Sequence, residues 1–175
     1  MKATNNGRLV EIPDCQISIP GEKPIKMRAL PDISDSKSAV YNNEAIMGRS
    51  FPLYTYSHSA DRQVSMTIHF YIIDKGDGKK NLDDLRKIQS LVYPRKGDGG
   101  APYKPPVVCS IKCGQLLAKE AICVVMQSYN IKFDPQVAWE KETYCPYKFS
   151  VDTSWLVVYT SSDLPYNDRI VQLGR

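Results

Sequence analysis

The chain has 175 residues, 42% hydrophobic and 24% charged, with 23 basic against 19 acidic residues and a formal net charge of +4. This balance excludes a wholly disordered chain, and with no basic run denser than Lys79-Lys80 or Arg95-Lys96 it excludes a nucleic-acid-binding arm. Met1 to Leu9 is polar with no apolar segment behind it, and no stretch approaches the roughly 18 apolar residues of a membrane span. The expectation is a soluble protein without a signal peptide, made in a cytoplasm and folded as one domain over residues 1–175.

Strand patterns dominate the chain order. Arg8–Ile12, Gln16–Ile19 and Ile25–Leu30 are short strand candidates punctuated by Pro13, Pro20 and Pro24. Val64, Met66, Ile68, Phe70 and Ile72 then alternate with Ser65, Thr67, His69 and Tyr71, the period-two signature of a strand with one buried face. A single helix is predicted over about residues 82–92. Asn81 is its N-cap, Asp83 and Asp84 complement its dipole, and Leu82, Leu85, Ile88, Leu91 and Val92 form its apolar stripe, which Pro94 ends. Loops are expected at 74–80 and 95–106.

Beyond the second loop, Val107, Cys109 and Ile111 alternate again. Residues 121–133 hold two competing registers: Val124, Met126, Ser128, Asn130 and Lys132, or Cys123, Val125, Tyr129, Ile131 and Phe133, interrupted by Gln127. A segment of that length is expected to bend or to carry a bulge. Tyr147, Phe149 and Val151 make a further strand, Trp155–Tyr159 a last one, and residues 163–175 a possible C-terminal arm. The pattern reads as a mainly β (α+β) fold, an antiparallel β-barrel or sandwich with one flanking helix inserted between two groups of strands.

Motifs for chemistry are sparse. His58 and His69 form no HExxH or HxH pattern, Asp74 to Asp84 fails the EF-hand template, and the glycines at 97, 99 and 100 follow a helix where a phosphate cradle would precede one. Five cysteines (Cys15, Cys109, Cys113, Cys123, Cys145) read first as buried thiols. The Cys109-Cys113 CxxxC pair lacks the second pair that a zinc site needs, and a disulfide formed after release from the cell is the stronger alternative. No cofactor, metal or catalytic group is expected. Eleven tyrosines, many in turn-like contexts, favour protein–protein contact.

Two segments carry a family resemblance. The first is Met47-Gly48-Arg49-Ser50-Phe51-Pro52 with Tyr54, Tyr56 and Arg62 and the alternating strand after it. The second runs from Leu85 through Leu91-Val92-Tyr93-Pro94 and the glycine loop to Pro105-Pro106-Val107, Gly114, Val124–Tyr129 and Pro146. Across about residues 45–159 this order resembles the baseplate tail-tube initiator or hub adaptor proteins of contractile-tailed phages, a tube-like family with relatives in contractile injection systems. The resemblance implies a tail-tube-like barrel and a structural, non-enzymatic virion subunit in the tail baseplate. It further implies rings of several copies, linking the inner tube to the central spike, assembled in the bacterial host cytoplasm. Partners would be copies of itself and the tube and spike or hub proteins, with neither membrane nor specific nucleic acid.

Some relatives carry a peptidoglycan-binding LysM module after the barrel, for which the sequence to Arg175 has no room. Arg49, Tyr56, Arg62, Tyr93 and Tyr103 are the residues expected at subunit contacts, with Arg49 pinning a turn as its alternative. The competing readings are another tail component (wedge or tail-completion protein), a ligand-binding β-barrel, or a thiol enzyme.

Overall fold

A computed structural model describes residues 15–97, 102–117 and 121–159. In chain order the elements are β1 (Cys15–Ser18), β2 (Ile25–Lys26), β3 (Asp32–Ser36), β4 (Ala39–Glu44), β5 (Leu53–Ser59) and β6 (Gln63–Tyr71). Helix α1 (Asp77–Ser90) follows, then β7 (Arg95–Lys96), β8 (Tyr103–Lys104), β9 (Cys109–Cys113), β10 (Ile122–Phe133) and β11 (Lys148–Val157). Seven strands form one antiparallel sheet in the order β2-β1-β9-β10-β11-β6-β3, and β4-β5 and β7-β8 form separate two-stranded ribbons. The strand candidate at Arg8–Ile12 and the arm at 163–175 lie outside the described residues.

The alternation read from sequence sets the core. Val64, Met66, Ile68 and Phe70 of β6 are buried, and in the neighbouring ladder they face Trp155, Thr153, Val151 and Phe149 of β11. Phe70 and Phe149 stack with ring centroids 4.8 Å apart and planes 9° from parallel, a cross-strand pair that stabilises register as well as burial. β11 is a single strand where two were expected. Its alternation is interrupted chemically by Thr153, which is buried yet satisfied. Thr153 donates to the Met66 carbonyl (2.8 Å) and accepts from Trp155 Nε1 (2.7 Å), so its hydroxyl carries no unpaired-burial penalty.

In β10 the register shifts between Met126 and Ser128. Ile122, Val124 and Met126 are buried before the shift, and Tyr129 and Ile131 turn inward after it. The bulge at Gln127 therefore lets one strand bury the apolar half of each competing register, since a one-residue slip exchanges faces.

The helix begins earlier than predicted. It starts after Gly76, a left-handed residue (φ 94°), and no side chain caps it. Asn81 lies within the helix, where it is buried and donates from Nδ2 to the Tyr71 carbonyl at 2.9 Å. Asp77 fixes the start. Its carboxylate accepts the backbone N–H groups of Ile73 (3.1 Å) and Asp74 (2.9 Å) and a two-pronged bond from Arg28 (2.5 and 2.6 Å). Leu85, Ile88 and Leu91 are buried as the stripe predicted, with Leu82 and Val92 partly buried beside them.

Among the described residues the expected barrel does not close: β2, with two residues, and β3, which ladders with β6, lie at opposite ends of the sheet and do not pair with each other. The architecture is one open antiparallel sheet with a helix against it. The loops predicted at 74–80 and 95–106 instead hold the helix start and the β7-β8 ribbon.

Candidate functional site

The most unusual feature is the hairpin of β4 and β5. All residues of both strands are exposed. The segment is strand-prone (Tyr41, Leu53, Tyr54, Thr55, Tyr56), which favours the extended backbone without a core to face. A register shift lies between Val40 and Tyr41, and the Tyr41 and Tyr56 rings meet edge to face at 5.8 Å. Gly48 (φ 85°) takes the left-handed turn at the tip, which an L side chain would disfavour. Ile46, Met47 and Phe51 surround that turn with exposed apolar side chains, Met47 at 101% and Phe51 at 67% of full exposure. An isolated two-stranded hairpin is marginally stable in water at best, and clustered exposed apolar surface marks an interaction site.

Two of the residues expected at contacts lie on this hairpin. Arg49 is exposed at the tip, its backbone N–H donating to the Ile46 carbonyl at 3.2 Å, and Tyr56 is exposed on β5. Arg62 sits elsewhere and works within the subunit. Its guanidinium binds Asp35 of β3 through Nε (2.9 Å) and Nη2 (2.5 Å) and the Leu117 carbonyl through Nη2 (2.9 Å). Asp35 holds its pKa above the ordinary arginine value against the opposing effect of burial. Arg62 thus clamps an edge strand to the sheet. Tyr93 is exposed beyond the helix, and Tyr103 is exposed on β8.

A concavity of ≈ 700 Å³ runs along one side of the helix from Gly76 to Lys87, between Lys23, Lys26, Lys79, Lys80 and Lys87, with Asp83 and Asp84 in its wall. Asp84 is buried, and burial raises its pKa although Lys87 Nζ lies 3.4 Å away and pulls it down. A second apolar exposure surrounds Phe133 and Trp139, whose rings lie 6.3 Å apart at the end of β10.

Cys15, Cys109, Cys113 and Cys145 are buried. Burial pushes Cys109 up to about 11 and raises Cys145 as well, whereas a nucleophilic cysteine needs its thiolate favoured. His58 is exposed beside Ser57 Oγ (3.1 Å), and His69 Nε2 lies 3.4 Å from Asp32. Among the described residues no three His, Cys, Asp or Glu side chains converge as a metal site requires, and no helix is long and apolar enough to cross a membrane. The hairpin was missed in the sequence because it buries no face, although "SFPLYTY" carries its strand propensity. No family model and no curated protein sequence matches this chain.

Proposed function

We propose that this chain is a structural subunit of a contractile phage tail baseplate, a tube-like hub or adaptor protein that joins copies of itself in a ring between inner tube and spike. The observation that carries the reading is the β4–β5 hairpin, an arm with an apolar tip and no core of its own. Such an arm gains stability by seating on another subunit, which is where exposed apolar surface and tyrosines are used. The open sheet supports the same reading. Its end strands β2 and β3 are short, and they carry opposite charges, Lys26 on one and Asp32 on the other. A head-to-tail ring brings unlike patches of neighbouring copies together, and opposite signs favour that pairing.

The test is sedimentation velocity with negative-stain imaging of the full chain over a wide concentration range, beside a variant in which residues 41–57 are replaced by an Asn-Gly turn. The full chain is expected to form closed rings whose interfaces each bury more than about 1,000 Å². The shortened variant is expected to stay monomeric and to keep the cooperative unfolding transition of the remaining sheet and helix. A full chain that remains monomeric at every concentration and in the presence of tail tube protein would overturn the ring reading. Within an imaged particle, a position away from the tube axis would leave a wedge or tail-completion role in its place.

A further inference from the structure

The CxxxC spacing pairs Cys109 with Cys113 on paper, and the fold separates them. Both lie on β9 four positions apart, which in a strand is about 13 Å of rise and well beyond the roughly 7 Å over which two Cα atoms can be bridged. Cys113 instead faces Cys15. The two are direct partners in the β1–β9 ladder, both point into the core at 2% and 1% exposure, and their sulfurs are 2.6 Å apart. Directly opposed residues of an antiparallel pair have Cα atoms about 4.5–5.5 Å apart, inside the window a disulfide occupies. Two thiolates holding one metal ion would be driven farther apart than this. Met27 Sδ, 3.4 Å from Cys15 Sγ, completes an apolar sulfur-lined wall.

We propose that Cys15 and Cys113 form a cross-strand disulfide when the protein meets an oxidising medium, stapling β1 to β9 across 98 positions of chain. The oxidant is a small-molecule disulfide. The thiolate of one cysteine attacks a sulfur of the oxidant, forming a mixed disulfide and expelling one thiolate. The sulfur of the other cysteine then attacks the protein sulfur of that mixed disulfide and expels the second. Two electrons and two protons leave the cysteine pair, and the oxidant becomes two thiols. The hydrogen bond from Cys15 favours the thiolate of Cys113. Because both sulfurs are buried, the reaction waits on local opening of β1, which is short and whose outer neighbour β2 pairs through two residues. In a reducing compartment the pair stays as thiols.

The experiment uses the folded, reduced full chain incubated with oxidised glutathione, followed by denaturing alkylation without reductant and tryptic mapping. Cleavage after Lys112 separates Cys109 from Cys113, so the linkage is unambiguous. The expected product lacks two hydrogens and yields fragment Leu9–Lys26 joined to fragment Cys113–Lys119. Its melting midpoint rises on the order of 10 °C above that of the reduced chain. A Cys113→Ala chain carried through the same steps should lose that linked pair. Alkylation of both Cys15 and Cys113 after prolonged oxidation, a persistent glutathione adduct on either, or linkage of Cys113 to Cys109 or Cys145 would each overturn the proposal.

Discussion

Along the β6–β11 ladder every second side chain is withdrawn from water, while along the β4–β5 hairpin none is. Both regions are antiparallel and rich in strand-forming residues, so propensity does not separate them. What separates them is what lies across the pleat. Val64, Met66, Ile68 and Phe70 meet a packed neighbour inside the subunit, whereas Tyr41, Tyr54 and Tyr56 meet solvent. The first region supplies its own stability, and the second holds its shape on backbone bonds, the Tyr41–Tyr56 ring pair and the Tyr56–Ser59 hydroxyl bond.

The largest effect expected from breaking the ladder is that of Trp155→Ala. Trp155 is fully buried, opposite Val64, and its ring nitrogen donates to Thr153. Removing it leaves a cavity and a weakened Thr153 network, and it should cost about 3–5 kcal/mol in a denaturant titration. A cost under about 1 kcal/mol would mean the sheet is not the stabilising unit.

Next comes Asp77→Asn, which tests how the helix is tied to the sheet side of the molecule. Losing the paired carboxylate should cost about 2–3 kcal/mol at neutral pH. Arg28 first, then the N–H groups of Asp74 and Ile73, hold this carboxyl well below the usual range. Its contribution is therefore complete above the unfolded carboxyl pKa of about 4 and is lost as pH falls toward the folded value. Lys132 and Thr67 depress Asp152 in the same sense, while burial raises Asp84, so acid relieves a cost there. Between pH 7 and pH 2 the gap in unfolding free energy between the wild type and the variant should narrow steadily, without closing. A constant gap across that range would remove the linkage.

The same contrast explains what the sequence made legible. β6 and α1 were readable because their apolar periods match what they bury, and the β10 bulge was readable because two registers compete around Gln127. The helix start was misplaced because Asn81 has the chemistry of a cap, while Asp77 owes its role to Arg28, 49 positions away in sequence. β11 was split at Thr153, whose burial depends on the Met66 carbonyl of another strand. β3 and the hairpin carry no period-two apolar signal, since Asp32, Ser34, Asp35 and Ser36 are exposed and so are all residues of β4 and β5. Sheet closure was invisible for a related reason, because it depends on whether two short end strands meet. Of the five residues expected at contacts, Arg49 and Tyr56 share the hairpin, Tyr93 and Tyr103 are exposed elsewhere, and Arg62 is held by Asp35.

Within the hairpin, Tyr56→Ala should act locally. It removes the edge-to-face contact with Tyr41 and the bond between its hydroxyl and Ser59 Oγ (2.9 Å). Such a pair contributes about 0.5–1 kcal/mol, or roughly two- to fivefold in the opening equilibrium. Hydrogen exchange of the monomer should therefore quicken by that factor at the β4–β5 amides, with the β6–β11 amides unchanged. Equal acceleration in both sheets would show that the two regions unfold as one unit.

The smallest effect on folding is expected at the tip, and it discriminates most. Met47 is fully exposed in the folded chain and Phe51 is about two-thirds exposed. Replacing both with serine leaves folding nearly neutral, within about 0.5 kcal/mol by denaturant titration at concentrations where the chain is monomeric. Association is where these side chains should count. Burying each against another subunit contributes about 1.5–3 kcal/mol, so each substitution should weaken self-association tenfold or more in sedimentation equilibrium. Loss of folding stability would instead mean that the tip packs against its own subunit. If neither quantity changed, the hairpin would have no partner among copies of this chain, and the self-assembly would have to run through the sheet edges alone.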